Sequence, residues 1–169
     1  MYNKHNLAVS KVASKSPIRA ELACVAFYGD RTIATDSFRA LEMSATGDKH
    51  EPVLYYADDI KKIKLKRGED IEEVVIKSQL EANEAYRVKA DYPDIDMVWN
   101  RETKAEHIEV TVNAEYLAEM LNVLKELSPF KSVKLKIPTS PGYAILLESK
   151  NTKPGEEQTG RGLLMPMNK

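Results

Sequence analysis

The side chains suited to acid–base, nucleophilic or metal chemistry are dispersed along this chain of 169 residues. None of the histidines, His5, His50 and His107, lies beside a nucleophile or a metal ligand at motif spacing. The acidic runs at Asp58-Asp59 and from Asp91 to Asp96 lack the partner spacing of a metal site, and there is no glycine-rich phosphate loop. The pattern predicts a protein that binds and is not an enzyme, with no cofactor and no metal.

Two single residues are nearer to catalytic groups in type. Cys24 lies in an apolar stretch and is interpreted as a small core residue. Asp36 follows Thr35 between two predicted strands and has the chemistry of a general base, but a Thr-Asp pair at such a place is more typical of a turn. Both residues are therefore expected to be structural.

The bulk composition is that of a globular protein. Hydrophobic residues make up 43% and charged residues 30%. A length of 169 residues is enough for one core or for two small half-domains that share one. No window approaches the apolar length of a membrane span, and the N-terminal residues lack the apolar run of a secretory signal. A single cysteine excludes an internal disulfide and suits a reducing compartment. We expect a cytoplasmic protein with no membrane partner.

The last third of the chain carries the clearest secondary-structure patterns. Ile108–Val112 alternates between apolar and polar residues, as a half-buried strand does. Asn113 can cap a helix over Ala114–Leu127, where apolar residues recur every three or four positions. Three more strands are predicted after this helix, with a polar loop over Lys150–Gly160 before the last of them: Val133–Ile137, Tyr143–Leu147 and Gly162–Met167. The predicted order is strand, helix and three strands.

The first two thirds show a looser version of the same order. Helices are predicted over Asn6–Ser14 and, shorter and basic, through Ile60 and Ile63. Asn100–His107 is predicted to be a polar linker. Strands are predicted over Ile18–Phe27, Arg31–Thr35, Phe38–Met43, Val53–Tyr56, Glu73–Lys77 and Ala85–Lys89. A repeated βαβββ unit predicts an α+β protein of two pseudo-symmetric halves, with antiparallel sheets and helices on one face.

Four short stretches carry a resemblance to a known family. Ala34–Arg39 resembles an Ala-Thr-Asp-Gly-x-Arg signature, and Tyr92–Val98 resembles a Pro-Asp-Tyr-x-x-Val turn. Val112–Leu124 resembles the strand and helix of a final domain, and Leu163–Met167 resembles a Met-Pro-Met ending. These stretches, in this order, resemble the bacterial DNA polymerase III beta subunit, the sliding clamp. The resemblance implies a DNA-clamp fold.

The chain departs from that family in length and in several residues. Family members have three clamp domains, whereas 169 residues leave room for about one and a half domains. We expect residues 1–100 to resemble the middle domain and residues 101–169 the second half of the last domain, together as one compact unit. Residues 68–87 match poorly. Phe38 stands where His is frequent, Ala40 where Leu is common, and Asn168-Lys169 follows the Met-Pro-Met ending in place of the usual Arg.

The resemblance implies a groove that binds short linear peptides of polymerases and of other replication and repair proteins. The residues at the matching positions are Leu22, Thr35, Phe38, Arg39, Ala40, Val98, Ile145, Leu163, Met165, Pro166 and Met167. Methionine and leucine give a soft apolar surface, and Arg39 can hydrogen-bond a peptide carbonyl or carboxylate. The alternative interpretation is that Leu163–Met167 is an edge strand packed into the core.

The resemblance also implies loose, sequence-independent contact with the backbone of duplex DNA. The matching basic residues are Lys4, Lys11, Lys15, Lys61, Lys62 and Lys64. A solvated face is the alternative for these lysines, because the net charge of the chain is only −1. The helix over Ala114–Leu127 carries Glu115, Glu119 and Glu126 against Lys125, so it is a poor DNA surface. A ring would need several copies of the chain.

Three functions stay open from the sequence. The first is a sliding-clamp-like accessory protein of DNA replication or repair, which tethers a polymerase to DNA as a processivity factor. The second is a peptide-binding adaptor or decoy that occupies clamp-binding motifs without encircling DNA. The third is a structural subunit of a homo-oligomer, in which the apolar tail is the contact between copies.

Overall fold

The computed structural model describes residues 1–16, 18–81, 88, 90–102, 106–140, 142–154 and 156–167. The chain divides into two compact units, Met1–Glu102 and Thr103–Lys169, which we call unit 1 and unit 2. Both units combine helices with antiparallel strands, so the protein has a mixed α+β architecture. The boundary between the units lies close to the position after residue 100 where the sequence pattern changes.

Unit 1 begins with a strand and a helix. Strand β1 (Tyr2–Asn3) leads into helix α1 (Lys4–Ala8), whose first turn is capped by the Asn3 side chain. Two 3-10 turns follow, at Val9–Lys11 and Ala20–Ala23. The remaining elements of the unit are β2 (Cys24–Phe27), β3 (Arg31–Thr35), β4 (Ala40–Ser44), β5 (Val53–Tyr56), α2 (Ala57–Ile60), β6 (Asp70–Ile71), α3 (Glu73–Glu81) and α4 (Ile95–Glu102).

The four-stranded antiparallel sheet of unit 1 has the order β4-β3-β2-β5. Strand β2 lies inside this sheet, and all four of its residues are buried. Its run of apolar residues is what a strand covered on both faces requires. The rings of Tyr2 and Tyr55 pack edge-on against Phe27, with ring centroids 4.9 and 5.6 Å away. The apolar contacts around Phe27 join β1, β2 and β5 into one core.

Several predicted elements of unit 1 differ in the structure. The predicted strand over Glu73–Lys77 is wrong, because this segment lies in α3, where Ile76 and Leu80 are buried one helical turn apart. The helix expected over Asn6–Ser14 begins earlier and ends in a 3-10 turn. Strand β2 covers only the end of Ile18–Phe27. Of the strand predicted over Ala85–Lys89 only Val88 is described, and its N–H donates to the Leu54 carbonyl at 3.1 Å.

In its described residues, unit 2 is one helix on a three-stranded antiparallel sheet. Helix α5 (Ala114–Leu124) is followed by β7 (Lys134–Lys136), β8 (Ile145–Asn151) and β9 (Gln158–Leu164), in the sheet order β7-β8-β9. The Asn113 side chain accepts hydrogen bonds from two N–H groups of the first turn of α5, so the predicted cap and helix are present. The helix ends three residues before the predicted Leu127.

Two glycines bring α5 close to the sheet. A Cβ atom on Gly160 would lie 2.4 Å from Leu127 Cδ1, and one on Gly162 would lie 2.3 Å from Met120 Cε. Because these two glycines lie two residues apart in β9, they share the face toward the helix, and the strand has no side chain there at these two positions. Leu124 and Leu147 complete the buried core on this face of the sheet.

The strands of unit 2 are displaced from their predicted bounds. Ile108–Val112 forms no strand, although Val110 and Val112 still pack against the core as their alternation predicts. The backbone of this segment holds the tail, since Met167 N–H donates to the Thr111 carbonyl at 2.7 Å. Strands β8 and β9 extend into the predicted loop over Lys150–Gly160, and β9 ends at Leu164.

Candidate functional site

The turn between β3 and β4 is organised by the side chains of Thr35 and Asp36. Thr35 Oγ1 accepts from Ser37 N–H at 3.2 Å and donates to the Arg39 carbonyl at 2.8 Å. Asp36 Oδ1 accepts from the N–H groups of Phe38 and Arg39, both at 3.1 Å. The Thr-Asp pair thus forms a turn, and the turn directs the Phe38 side chain into solvent, where 96% of it is exposed.

Asp36 is engaged on both carboxylate oxygens. Burial opposes its ionisation, but the hydrogen bonds from Phe38 and Arg39 outweigh burial and hold the pKa of the carboxyl below its usual value. Its Oδ2 accepts from Arg39 Nε at 3.0 Å. Ser37 has a backbone φ of 75°, a conformation that is uncommon for a residue with a side chain. A strained residue in a turn held by several hydrogen bonds gives a fixed loop geometry.

A cavity of about 420 Å³ opens beside this turn. The buried side chains of Leu22 and Ile95 contribute to its lining, and Val98 and Trp99 line it from helix α4. All lining residues belong to unit 1, and they are Arg19, Leu22, Thr35, Ser37, Phe38, Arg39, Ala40, Pro93, Ile95, Val98 and Trp99. We call this space the turn cavity.

Two polar contacts attach the α4 side of the turn cavity to strand β3. Arg31 Nη2 donates to Asp96 Oδ2 at 2.7 Å, and the Arg31 side chain is largely buried. The Tyr92 hydroxyl donates to the Ile33 carbonyl at 3.3 Å, and burial raises the pKa of Tyr92. Because both contacts bind the segment before and within α4 to the sheet, they position Val98 and Trp99 opposite the turn.

The rim of the turn cavity carries two arginines with spare donors. Arg19 Nε donates to Glu21 Oε1 at 2.8 Å, and Arg19 Nη1 donates to Ser37 Oγ at 3.4 Å. Arg39 uses its Nε on Asp36. Since a guanidinium has five N–H donors, each arginine retains donors for a carbonyl or carboxylate of a ligand. The cavity is therefore apolar inside and polar at its edge.

Sequence reasoning found part of this lining. The six residues predicted within unit 1 all line the turn cavity: Leu22, Thr35, Phe38, Arg39, Ala40 and Val98. It missed Arg19, Ser37, Pro93, Ile95 and Trp99. Ser37 lies in the quoted Ala34–Arg39 stretch, Pro93 and Ile95 lie in the quoted Tyr92–Val98 stretch, and Trp99 is the only tryptophan of the chain. These four residues therefore carried a signal. Arg19 carried none.

The five residues predicted within unit 2 do not share one cavity. Ile145 is buried beside Leu147 in the core. Pro166 and Met167 line a separate cleft of about 440 Å³, together with Ile108–Thr111 and the segment around Tyr143. Leu163 and Met165 are exposed and line neither space. Within the described tail, Leu163–Met167, only Leu164 is buried. Most of the tail is thus a surface segment.

The six lysines predicted for DNA are exposed in unit 1. Lys61 Nζ lies 2.8 Å from Asp58, and Lys62 Nζ lies 2.5 Å from Asp59, so both ammonium groups are ion-paired. Lys15 is near enough to contribute, after Lys61 and Lys62, to lowering the pKa of Asp58. These carboxylates offset part of the positive potential that phosphate contact requires.

The groups considered for catalysis lie in structural positions. Cys24 is buried in β2, its Sγ donates to the Ala20 carbonyl at 3.1 Å, and burial raises the pKa of the thiol to about 12. Among the described residues, no group of three or more His, Cys, Asp or Glu side chains is placed to hold a metal ion. Over those same stretches of chain, no helix has the length and apolar character needed to cross a bilayer.

Comparison of the sequence with models of protein families finds no match, and comparison with curated proteins finds no significant match.

Proposed function

We propose that this chain is a sliding-clamp-like accessory protein of DNA replication or repair, with a DNA-clamp fold, and that it acts by holding a short linear peptide of a polymerase-type partner in the turn cavity. The observation that carries the proposal is the meeting of six residues around one cavity. These residues were assigned to a peptide groove from the sequence resemblance alone, and they come from separate elements of unit 1.

The shape and chemistry of the turn cavity suit a peptide side chain. A volume of about 420 Å³ accepts one or two large apolar side chains, and the exposed Phe38 gains a contact surface only when a ligand covers it. The donors of Arg19 and Arg39 are available to peptide carbonyls at the rim. A peptide with adjacent large apolar residues, such as Leu-Phe, matches this arrangement.

The test is a titration followed by fluorescence anisotropy. A labelled peptide with a Gln, a few spacer residues and Leu-Phe is mixed with the full chain and with the Phe38→Ala variant. Burying a phenylalanine side chain contributes about 1.5–3 kcal/mol, so the variant should bind about 10- to 100-fold more weakly. Phe130→Ala is the matched control, because Phe130 is 90% exposed, belongs to unit 2 and is not one of the residues that line the turn cavity.

Equal binding by the parent and by Phe38→Ala would contradict the proposal, as would no binding by a folded parent. A parallel loss in Phe130→Ala would show a general effect of removing surface aromatics. Because Phe38 is almost fully exposed, its replacement leaves the core of unit 1 intact, and the result reports on binding.

The clamp version and the adaptor version of the proposal differ in their need for DNA. Only a clamp that tethers a polymerase must associate with long duplex DNA in a salt-dependent way. The exposure of Lys4, Lys11 and Lys15 favours the clamp version, and the ion pairs of Lys61 and Lys62 favour the adaptor. Co-sedimentation with long duplex DNA at two salt concentrations separates the two.

The third candidate is a homo-oligomer that uses the apolar tail. It is favoured by the exposure of Leu163, Met165 and Met167 at the end of unit 2. Analytical ultracentrifugation of the parent and of the Met165→Ser/Met167→Ser variant tests it. An oligomer in the parent that is lost in the variant supports this candidate, and an unchanged oligomer excludes the tail as the contact.

A further inference from the structure

The sheet of unit 2 has two faces of opposite character. Cross-strand partners place Ile145 with Leu164, Leu147 with Gly162 and Ser149 with Gly160 on the face that α5 covers. The residues between them point to the other face, because side chains alternate along a strand. This second face is formed by Lys134, Lys136, Leu146, Glu148, Lys150, Thr159, Arg161 and Leu163, and we call it the basic sheet face.

The basic sheet face has four cations and one carboxylate, a net charge of +3 on a chain whose total charge is −1. Glu148 is the carboxylate, and it lies 2.9 Å from Lys136 Nζ and 3.8 Å from Arg161 Nε. These cations, the Lys136 hydrogen bond first, outweigh its burial and lower its pKa, so Glu148 stays ionised. Because the single carboxylate of Glu148 lies near both Lys136 and Arg161, the basic sheet face keeps an excess of positive charge.

The other two cations, Lys134 and Lys150, are exposed. In the part of the chain that the structure describes, neither has a carboxylate oxygen within ion-pair distance. Both line a shallow cleft of about 240 Å³ with Ser132, Glu148 and Ser149. The Ser149 hydroxyl donates to the Ser132 carbonyl at 3.0 Å, so the two ammonium groups are the donors that a phosphate group would accept here.

We propose that the basic sheet face of unit 2 binds the phosphate backbone of nucleic acid, with Lys134 and Lys150 as the main contacts and Arg161 beside them. The occupant is argued from charge, since an open, cationic sheet face matches an extended polyanion and offers no base-reading element. This surface is different from the six lysines of unit 1 and from the turn cavity, and it does not depend on peptide binding.

Two ion-paired lysines of unit 1 provide a comparison for Lys134 and Lys150. Lys61 and Lys62 each have a carboxylate of their own, Asp58 and Asp59, within 2.8 Å. A phosphate must displace that carboxylate before it contacts the lysine. Lys134 and Lys150 share their cleft with Glu148, but in the described residues neither has a carboxylate oxygen within ion-pair distance. Replacing Lys61 and Lys62, or Lys134 and Lys150, therefore changes the net charge by the same amount. Only the second replacement is expected to remove phosphate contacts.

The experiment measures binding of a labelled duplex oligonucleotide to the full chain by anisotropy at several salt concentrations. With about three phosphates neutralised, affinity should fall about 40-fold between about 50 and 200 mM salt. The Lys134→Gln/Lys150→Gln variant should reduce the slope of log K against log salt by about 1.8, which is about 0.9 for each lost contact. The matched Lys61→Gln/Lys62→Gln variant and Phe38→Ala should bind like the parent.

Each contrary outcome overturns the proposal. No binding at low salt, or an equal loss in both lysine variants, would mean that the face is an ordinary solvated surface. Inorganic phosphate is also added at the same total phosphate concentration as an unlabelled duplex competitor. If it displaces the labelled duplex equally well, the face binds single phosphate ions and not a nucleic-acid backbone. Displacement by polyglutamate as effective as by unlabelled duplex would assign the face to acidic protein. The turn cavity is tested by peptide binding and this face by duplex binding, so failure of one and failure of the other give different results.

Discussion

We predict that removing the Tyr2 hydroxyl, in the Tyr2→Phe variant, destabilises unit 1. Tyr2 is 1% exposed, and its ring packs against Phe27. The hydroxyl accepts from Gly29 N–H at 3.0 Å and donates to Glu73 Oε2 at 2.8 Å. The hydroxyl therefore links the β2–β3 turn, strand β1 and helix α3, while the phenylalanine variant keeps the ring contact.

The magnitude follows from what each partner loses. Gly29 is buried, and an unsatisfied buried N–H costs about 1–3 kcal/mol. The Glu73 side chain is 27% exposed, so water replaces the lost hydrogen bond there at little cost. We expect Tyr2→Phe to lower the free energy of unfolding of unit 1 by about 2 kcal/mol. With a urea dependence of about 2 kcal/mol/M, the midpoint falls by about 1 M.

The assay is urea unfolding followed by tryptophan fluorescence. The single tryptophan, Trp99, lies in α4 of unit 1, so its emission reports on this unit. Tyr56→Phe is the control, because Tyr56 is an exposed tyrosine of the same unit. A Tyr2→Phe midpoint equal to that of Tyr56→Phe would refute the reasoning that the hydroxyl satisfies a buried donor.

Three further predictions concern titration, packing and thiol reactivity. The pKa of His50 is raised first by the Glu51 carbonyl, with the Glu73 carboxylate adding to it and burial opposing it. The resulting stability is complete below the unfolded pKa of about 6.5 and is lost as pH rises through the higher folded value. Because the His50 side chain is 40% exposed, urea midpoints should show a loss below about 1 kcal/mol over this window, absent in His50→Gln. Gly160→Ala brings a Cβ to 2.4 Å from Leu127 Cδ1, so it should destabilise unit 2 by about 1–3 kcal/mol and speed amide exchange in β8, unlike the control Thr159→Ala. Cys24 should react with a thiol reagent only after unfolding, and reaction of the folded protein at the unfolded rate would contradict its buried position.

The sequence correctly predicted those helices and strands whose signals lie within their own segments. The spacing of apolar residues and the Asn113 cap predicted α5, and β3 and β5 begin and end where expected. Helix α3 was missed because its Val-Val-Ile run has strand propensity, while burial of Ile76 and Leu80 on one helical face decides the structure. Tertiary packing of this kind is not visible in a single segment.

Register explains the errors in unit 2. The sequence pattern places the last strand at Gly162–Met167, whereas β9 ends at Leu164. The approach of α5 needs Gly160 and Gly162 on the covered face, and this requirement depends on a helix more than thirty residues earlier. The residues around Met165 are consequently free of the sheet, which the strand prediction did not anticipate.

The candidate site was predictable to the extent that it lies in a local turn. The Thr35–Arg39 segment carries its own hydrogen bonds, so its residues were found together. Trp99 and Arg19 reach the turn cavity from other elements, through contacts such as Arg31 with Asp96 that no local pattern reveals. Long-range placement therefore limits what the sequence alone predicts.

The most direct test of the central claim is the emission of Trp99 during titration with an unlabelled, tryptophan-free Leu-Phe peptide. Trp99 lines the turn cavity and is the only tryptophan of the chain, so its emission reports occupancy of that cavity. We expect a saturable blue shift with the same Kd as the anisotropy titration, and weaker binding in Phe38→Ala. Peptide binding by anisotropy with unchanged Trp99 emission would mean that the peptide binds outside the turn cavity, contrary to the proposed function.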